Sequence, residues 1–203
     1  HDVLAGEASV DQATYEGPAG VKVVPSSISL ESVRRTKLEG LRKAVSELAK
    51  RTGILLIDSP AGLDRDAITA LTMGREVILV VTPDIASLSD ALKTKIISEN
   101  LGVKPIGIVV TRATDERVDL PKEKIESVLD LPVLAVIPED LEVGRSAAFR
   151  KPVVIYEPKS PAAQAFTKLA ADLLSRRRRV KPKKAGVEKF TLWPYVERKR
   201  KSS

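Results

Sequence analysis

Four short stretches in this chain carry side chains that could do chemistry where an apolar run stops. Residues 54–57, Ile-Leu-Leu-Ile, run into Asp58 and then Ser59, Pro60, Ala61 and Gly62. A carboxylate after four apolar strand residues is placed to hold Mg²⁺, directly or through water, beside a triphosphate. Gly62 can bring its backbone N–H to a terminal phosphate with no side chain in the way. The competing reading is a solvated turn. Residues 77–81 end in Thr82, Pro83 and Asp84; residues 106–110 end in Thr111 and Arg112; residues 133–137 end in Pro138, Glu139 and Asp140. Each of these three could equally be a turn with helix caps, and Asp140 could serve only the first turn of its helix through the helix dipole.

Chemistry of other kinds is excluded by composition. The 203 residues contain no Cys, and their single His is His1. Thiolate metal sites, disulfides, histidine metal sites and histidine-based triads are therefore out. Aromatic residues make up 3% of the chain, so the core has to be aliphatic. No apolar run approaches the roughly 20 residues of a membrane-spanning helix. No signal peptide opens the chain, and neither does Met, which suggests processing, truncation or a fragment. The net charge of +7 hides an asymmetry: residues 176–201 hold twelve Lys or Arg against Glu188 and Glu197, leaving a mildly acidic remainder.

The elements that must position the candidate residues follow from periodicity. Short β-rich runs at 21–24, 54–57, 77–81, 106–110 and 133–137 alternate with helical stretches at 30–50, 66–73, 88–101, 121–129, 139–149 and 161–175. Ser87 and Asp90 read as a box-like cap for the third helix and Gly102 as its stop. Residues 153–155 read as a short extended piece. Continuous apolar runs suit strands covered on both faces. The alternation predicts an α/β fold: three layers, a mostly parallel sheet, and helices on both faces. In such sheets ligands bind beyond the carboxyl ends of the strands, where all four stretches lie.

Taken in order, 54–62, 77–83, 109–112, 137–140 and Lys151–Pro152–Val153 resemble the MinD/ParA family of deviant P-loop ATPases, above all its archaeal MinD branch. The opening 2–7 and residues 20–25 resemble that branch as well, and the likeness covers about residues 2–175. The resemblance implies ATP and Mg²⁺ as cofactors, face-to-face homodimerisation in the ATP state and slow hydrolysis. It implies a nucleotide-controlled switch of binding to a membrane, DNA or a protein partner. Carried over by motif, Asp58 would hold Mg²⁺ through water, and Ser59, Pro60, Ala61 and Gly62 would sense the γ-phosphate. Thr111 and Arg112 would match the family's Asn-Arg pair beside the adenine, and Pro138, Glu139 and Asp140 would line the base pocket. A protein partner would use the switch and the helix face over 87–101.

Three departures stand out. Thr111 replaces the common Asn, and a hydroxyl offers fewer hydrogen-bonding groups than an amide. Arg150 replaces the Gly that usually precedes Lys-Pro. No G-x-x-x-x-G-K-[ST] occurs in the 203 residues. In the family that loop follows a strand central to the sheet, so the expected domain, residues 1–175, lacks its first strands and should expose strand edges. ATP hydrolysis belongs to the intact family and is not expected of these residues alone.

Residues 176–203 form a basic tail with an aromatic-rich cluster, Phe190, Leu192, Trp193 and Tyr195, followed by Arg198 and Lys199. Relatives of the cell-division type hold a membrane with an amphipathic helix here, and anionic lipid attracts basic residues. Pro194 argues against one clean helix. Nucleic-acid contact, as in ParA-like relatives, and an inert terminus stay open beside the membrane reading. The location expected is the cytoplasm, peripheral on the inner face of the cell membrane. The functional expectation is a MinD-like regulator of spatial positioning; the alternatives are an inactive adaptor or a ParA-like partitioning protein.

Overall fold

The computed structural model describes residues 3, 7–25, 38–60, 62–114 and 119–179. Its strands are β1 (Tyr15–Glu16), β2 (Lys22–Val23), β3 (Glu76–Val81), β4 (Lys104–Ala113) and β5 (Val133–Pro138). Its α-helices are α1 (Leu38–Arg51), α2 (Arg65–Met73), α3 (Ile85–Asn100), α4 (Lys122–Leu129), α5 (Leu141–Ala148), α6 (Val153–Tyr156) and α7 (Pro161–Arg179). Two compact units divide the chain, one ending at Leu169 and the other beginning at Ala170.

Strand β4 organises the first unit. It pairs in parallel with β3 on one edge and with β5 on the other. Ile108, Val109 and Val110 are buried in succession, which requires cover on both faces. On one face Ile108 and Val110 join Leu79 and Val81 of β3, Leu88 and Ala91 of α3, and Ile125 and Leu129 of α4. On the other, Val109 and Ile137 pack with Ala162, and Ala165, Phe166 and Leu169 of α7 lie against them. This is the three-layer α/β arrangement expected, with an aliphatic core.

Residues 54–57 differ from the expectation. They join no ladder, and Leu56 is 85% exposed. An apolar run becomes a buried strand only where a neighbour offers it backbone partners and cover. Among the described residues no strand pairs with 54–57. Val80 of β3, an edge strand here, is correspondingly 66% exposed. Residues 153–155 are a helical turn rather than extended: Pro152 caps α6, and its carbonyl accepts from Ile155 and Tyr156.

The caps also moved. Helix α3 starts one turn earlier than expected, with Asp84 as its cap accepting from the Ser87 N–H at 2.9 Å. Ser87 instead accepts from the Thr82 N–H at 3.0 Å, tying the end of β3 to the helix. Helix α5 begins after Asp140, not at Glu139. The Asp140 carboxylate accepts from Glu142 N–H at 2.9 Å and from Ala162 N–H at 3.1 Å, so one side chain joins the starts of α5 and α7. Residues 21–24 contribute only β2, which closes a two-stranded hairpin with β1, an element the periodicity missed.

Gly107 lies where β4 passes Leu134, and a Cβ there would sit 2.5 Å from Leu134 Cγ. Gly107→Ala should destabilise by about 1–3 kcal/mol in chemical denaturation, and Leu134→Ala in the same chain should recover part of that loss. Backbone hydrogen bonds, from Glu142 first and Ala162 second, hold the Asp140 carboxyl below its ordinary value of 3.8. A depressed folded value means the contribution is present above the unfolded pKa and is lost as pH falls through the folded one. Asp140→Asn should lower the melting temperature at neutral pH and flatten its fall in acid; parallel acid limbs for the two proteins would contradict this.

Candidate functional site

The carboxyl ends of β4 and β5 meet at a bulge. Val110 pairs with Val136 and Ala113 with Pro138, so three steps on β4 match two on β5. The extra residue falls at Thr111–Arg112, and Arg112 adopts φ 56°, a left-handed conformation that a side chain makes costly. The bulge turns Arg112 out of the ladder. Its Nε donates to Glu139 Oε2 at 2.8 Å, and the Glu139 N–H donates to the Ala113 carbonyl at 2.8 Å. Glu139, through that hydrogen bond and its charge, raises the guanidinium pKa further above its usual value, so Arg112 stays cationic. Both side chains are solvent-accessible, and an exposed pair of this kind fixes a direction more than it stabilises the fold.

Of the sequence-derived candidates, Thr111, Arg112, Pro138, Glu139 and Asp140 are therefore brought to one corner. Their roles there divide. Arg112 keeps terminal N–H donors facing solvent. Pro138 offers no N–H, and that of Glu139 is occupied. Asp140 spends both carboxylate oxygens on backbone donors, so it shapes the corner as a cap. The end of β3 is closed similarly: Thr82 donates to Asp84, and the Pro83 carbonyl accepts from Leu120 N–H at 2.9 Å. A cavity beside it, bordered by Pro83, Ala113, Asp119 and Val136, measures about 210 Å³. That is below the roughly 300–1,000 Å³ of small-molecule pockets. The corner is an open ledge.

Asp58, Ser59 and Pro60 are exposed, and no hydrogen bond or ion pair among the described residues joins Asp58 to that ledge. Gly62 has φ +93°, and a Cβ there would meet nothing within 4 Å, so backbone conformation rather than space calls for glycine. Ala61 lies outside the described residues. So do Phe190, Leu192, Trp193, Tyr195, Arg198 and Lys199. No cluster of three or more His, Asp or Glu that could hold a metal occurs among the described residues. A lone Asp58 suits Mg²⁺, which is commonly held by one or two carboxylates together with phosphates and water. The bulge and the Arg112–Glu139 pair were missed from sequence; the signal available was only a Thr-Arg pair at a strand end.

Residues 69–192 match the family described as 4Fe-4S iron sulfur cluster binding proteins, NifH/frxC family. A cluster of that type needs thiolate ligands, and the sequence has no cysteine, so these residues cannot hold one. An uncharacterised ATP-binding protein of Methanocaldococcus jannaschii is 43% identical over 184 residues, 91% of this chain and 70% of that protein. A second from the same organism is 39% identical over 172 residues, 84% of this chain and 65% of that protein. Among solved structures, the cell division ATPase MinD of Pyrococcus furiosus aligns with a TM-score of 0.82 and 37% identity, covering 87% of this chain and 75% of that one. The septum site-determining protein MinD of Pyrococcus horikoshii, complexed with Mg-ADP, aligns at 0.80 and 36%, covering 85% and 72%. No helix among the described residues is long and apolar enough to cross a membrane. On this sequence and structural similarity, the chain belongs to the MinD/ParA group of the NifH/frxC family of P-loop ATPases and is similar to archaeal MinD.

Proposed function

We propose that these residues are the carboxyl-terminal part of a MinD-like ATPase whose ATP-dependent homodimerisation controls positioning at a membrane or other surface. The observation that carries the reading is the Arg112–Glu139 corner at the carboxyl ends of β4 and β5, where open α/β sheets bind ligands. Similarity to a MinD complexed with Mg-ADP supports it. In this reading Arg112 keeps its cation at the edge of the base site through the bulge and the Glu139 carboxylate. Thr111, Pro138 and Glu139 present the ledge, and Asp140 holds α5 and α7 in place around it. Asp58 would hold Mg²⁺, which supplies charge neutralisation between phosphates. Ser59, Pro60, Ala61 and Gly62 would respond to the terminal phosphate, Gly62 through its left-handed backbone.

One observation favours a second reading. Ile85 and Ile96 are exposed on the outer face of α3, where an inactive adaptor would bind a protein partner.

Calorimetric titration of these 203 residues with ATP and Mg²⁺ separates the two. The ATPase reading predicts weak binding, with Kd above about 1 mM, because the ledge receives the base but nothing wraps the phosphates. Arg112→Ala should weaken it further. Micromolar affinity would contradict the need for the loop, and no heat from any nucleotide would favour the adaptor.

A further inference from the structure

A second exposed corner, where α5 turns into α6, is not used by the nucleotide reading. Helix α5 ends in a Schellman motif: Lys151 N–H donates to the Ser146 carbonyl and Arg150 N–H to the Ala147 carbonyl, both at 2.9 Å. The residue between the helix end and Lys151 must be left-handed, and Arg150 is, with φ 55°. Helix α3 ends in the same motif, with Val103 N–H to Ser98 and Gly102 N–H to Glu99, but there the left-handed residue is Gly102 at φ 75°. So one molecule uses glycine where the turn alone matters and arginine where a side chain is kept at a conformational cost.

What surrounds Arg150 indicates what the cost retains. Phe149 is 65% exposed, with one ring face stacked on Tyr156 at 5.4 Å between centroids. Helix α6 buries Val153 and leaves Val154 and Ile155 open to solvent. From Phe149 to Lys159 the chain carries Arg150, Lys151 and Lys159 against Glu157 alone. None of those three cations is in an ion pair among the described residues, whereas the nearby Arg145 is held by Glu142 at 2.5 Å. The corner is therefore an apolar knob of aromatic and aliphatic side chains edged by unpaired cations.

We propose that this corner is a contact site for an anionic phospholipid surface, with Phe149 and Ile155 entering the headgroup boundary and Arg150 and Lys151 meeting lipid phosphates. Exposed aliphatic side chains gain from burial among acyl chains, and each nearby cation gains from the surface potential. Single-stranded nucleic acid fits less well, since it uses rows of aromatic platforms along a basic groove, and here one ring has one open face. The site deepens the surface-positioning reading but does not depend on nucleotide, so the two fail separately.

Arg150→Gly gives the test its leverage, because it removes the cation while relieving the backbone. The full 203-residue chain, Arg150→Gly and Phe149→Ser are compared by co-sedimentation with vesicles of phosphatidylcholine carrying phosphatidylglycerol, with pure phosphatidylcholine vesicles, and with single-stranded DNA. Arg150→Gly should melt at a higher temperature than the parent yet partition to the anionic vesicles about fivefold less. Phe149→Ser should also lose partitioning, and neutral vesicles should bind little in every case. Unchanged anionic-vesicle binding in both variants would overturn the proposal. So would a loss confined to DNA, which would assign the corner to nucleic acid. Failure to bind ATP would count against the ATPase reading without touching this one.

Discussion

Double-sided burial of β4 is the constraint on which the rest of this unit depends. Ile108 and Val110 fill the core under α3 and α4, while Val109 fills the core under α7. A strand covered on both faces and paired on both edges has no freedom of register, because a one-residue slip would exchange its two cores. Its carboxyl end is fixed for the same reason. The bulge at Thr111–Arg112 can hold a strained arginine only because the ladder before it is immovable and Ala113 rejoins β5 immediately after. The candidate site is in this sense a product of core packing.

Left-handed non-glycine residues mark where the chain departs from its simplest solution. Among the described residues Ala19, Arg112, Asp130 and Arg150 have positive φ, and the last three lie at a strand end or a helix end. Asp130 caps α4, and a short polar side chain tolerates that conformation. Arg112 and Arg150 have no such excuse, and each places a guanidinium at the surface beside exposed or chemically distinctive neighbours. Strain of this kind persists when surrounding structure over-determines it, as the bulge does for one and the Schellman hydrogen bonds do for the other.

Much of the fold was legible because apolar periodicity reports burial. The runs at 77–81, 106–110 and 133–137 became β3, β4 and β5, and the helices between them appeared with boundaries shifted by a few residues. Those shifts came from caps. Asp84, Ser87 and Asp90 all suit a helix start, and only the path of the chain out of β3 selects Asp84. The failure at 54–57 has a different origin: periodicity reports a wish to be buried, and burial needs a neighbour. Within the candidate site, the residue types at the strand ends pointed to one corner, where Thr111, Arg112, Pro138, Glu139 and Asp140 are brought together. What could not be read was the division of labour. Nothing in Pro-Glu-Asp says that Glu139 orients an arginine while Asp140 is consumed as a double cap. Those roles depend on the bulge and on Ala162 in the first turn of α7, twenty-two residues from Asp140 in sequence.

In the proposed function the nucleotide faces the ends of β4 and β5, an edge that these 203 residues supply without the phosphate loop. Amide chemical-shift mapping during titration with Mg-ADP at millimolar concentration addresses that claim without requiring tight binding. Shifts should concentrate on Thr111, Arg112, Ala113, Glu139 and the first turn of α5, with little change at the β1–β2 hairpin. Perturbations spread over the hairpin or the outer face of α3, with none at Ala113 and Glu139, would contradict it.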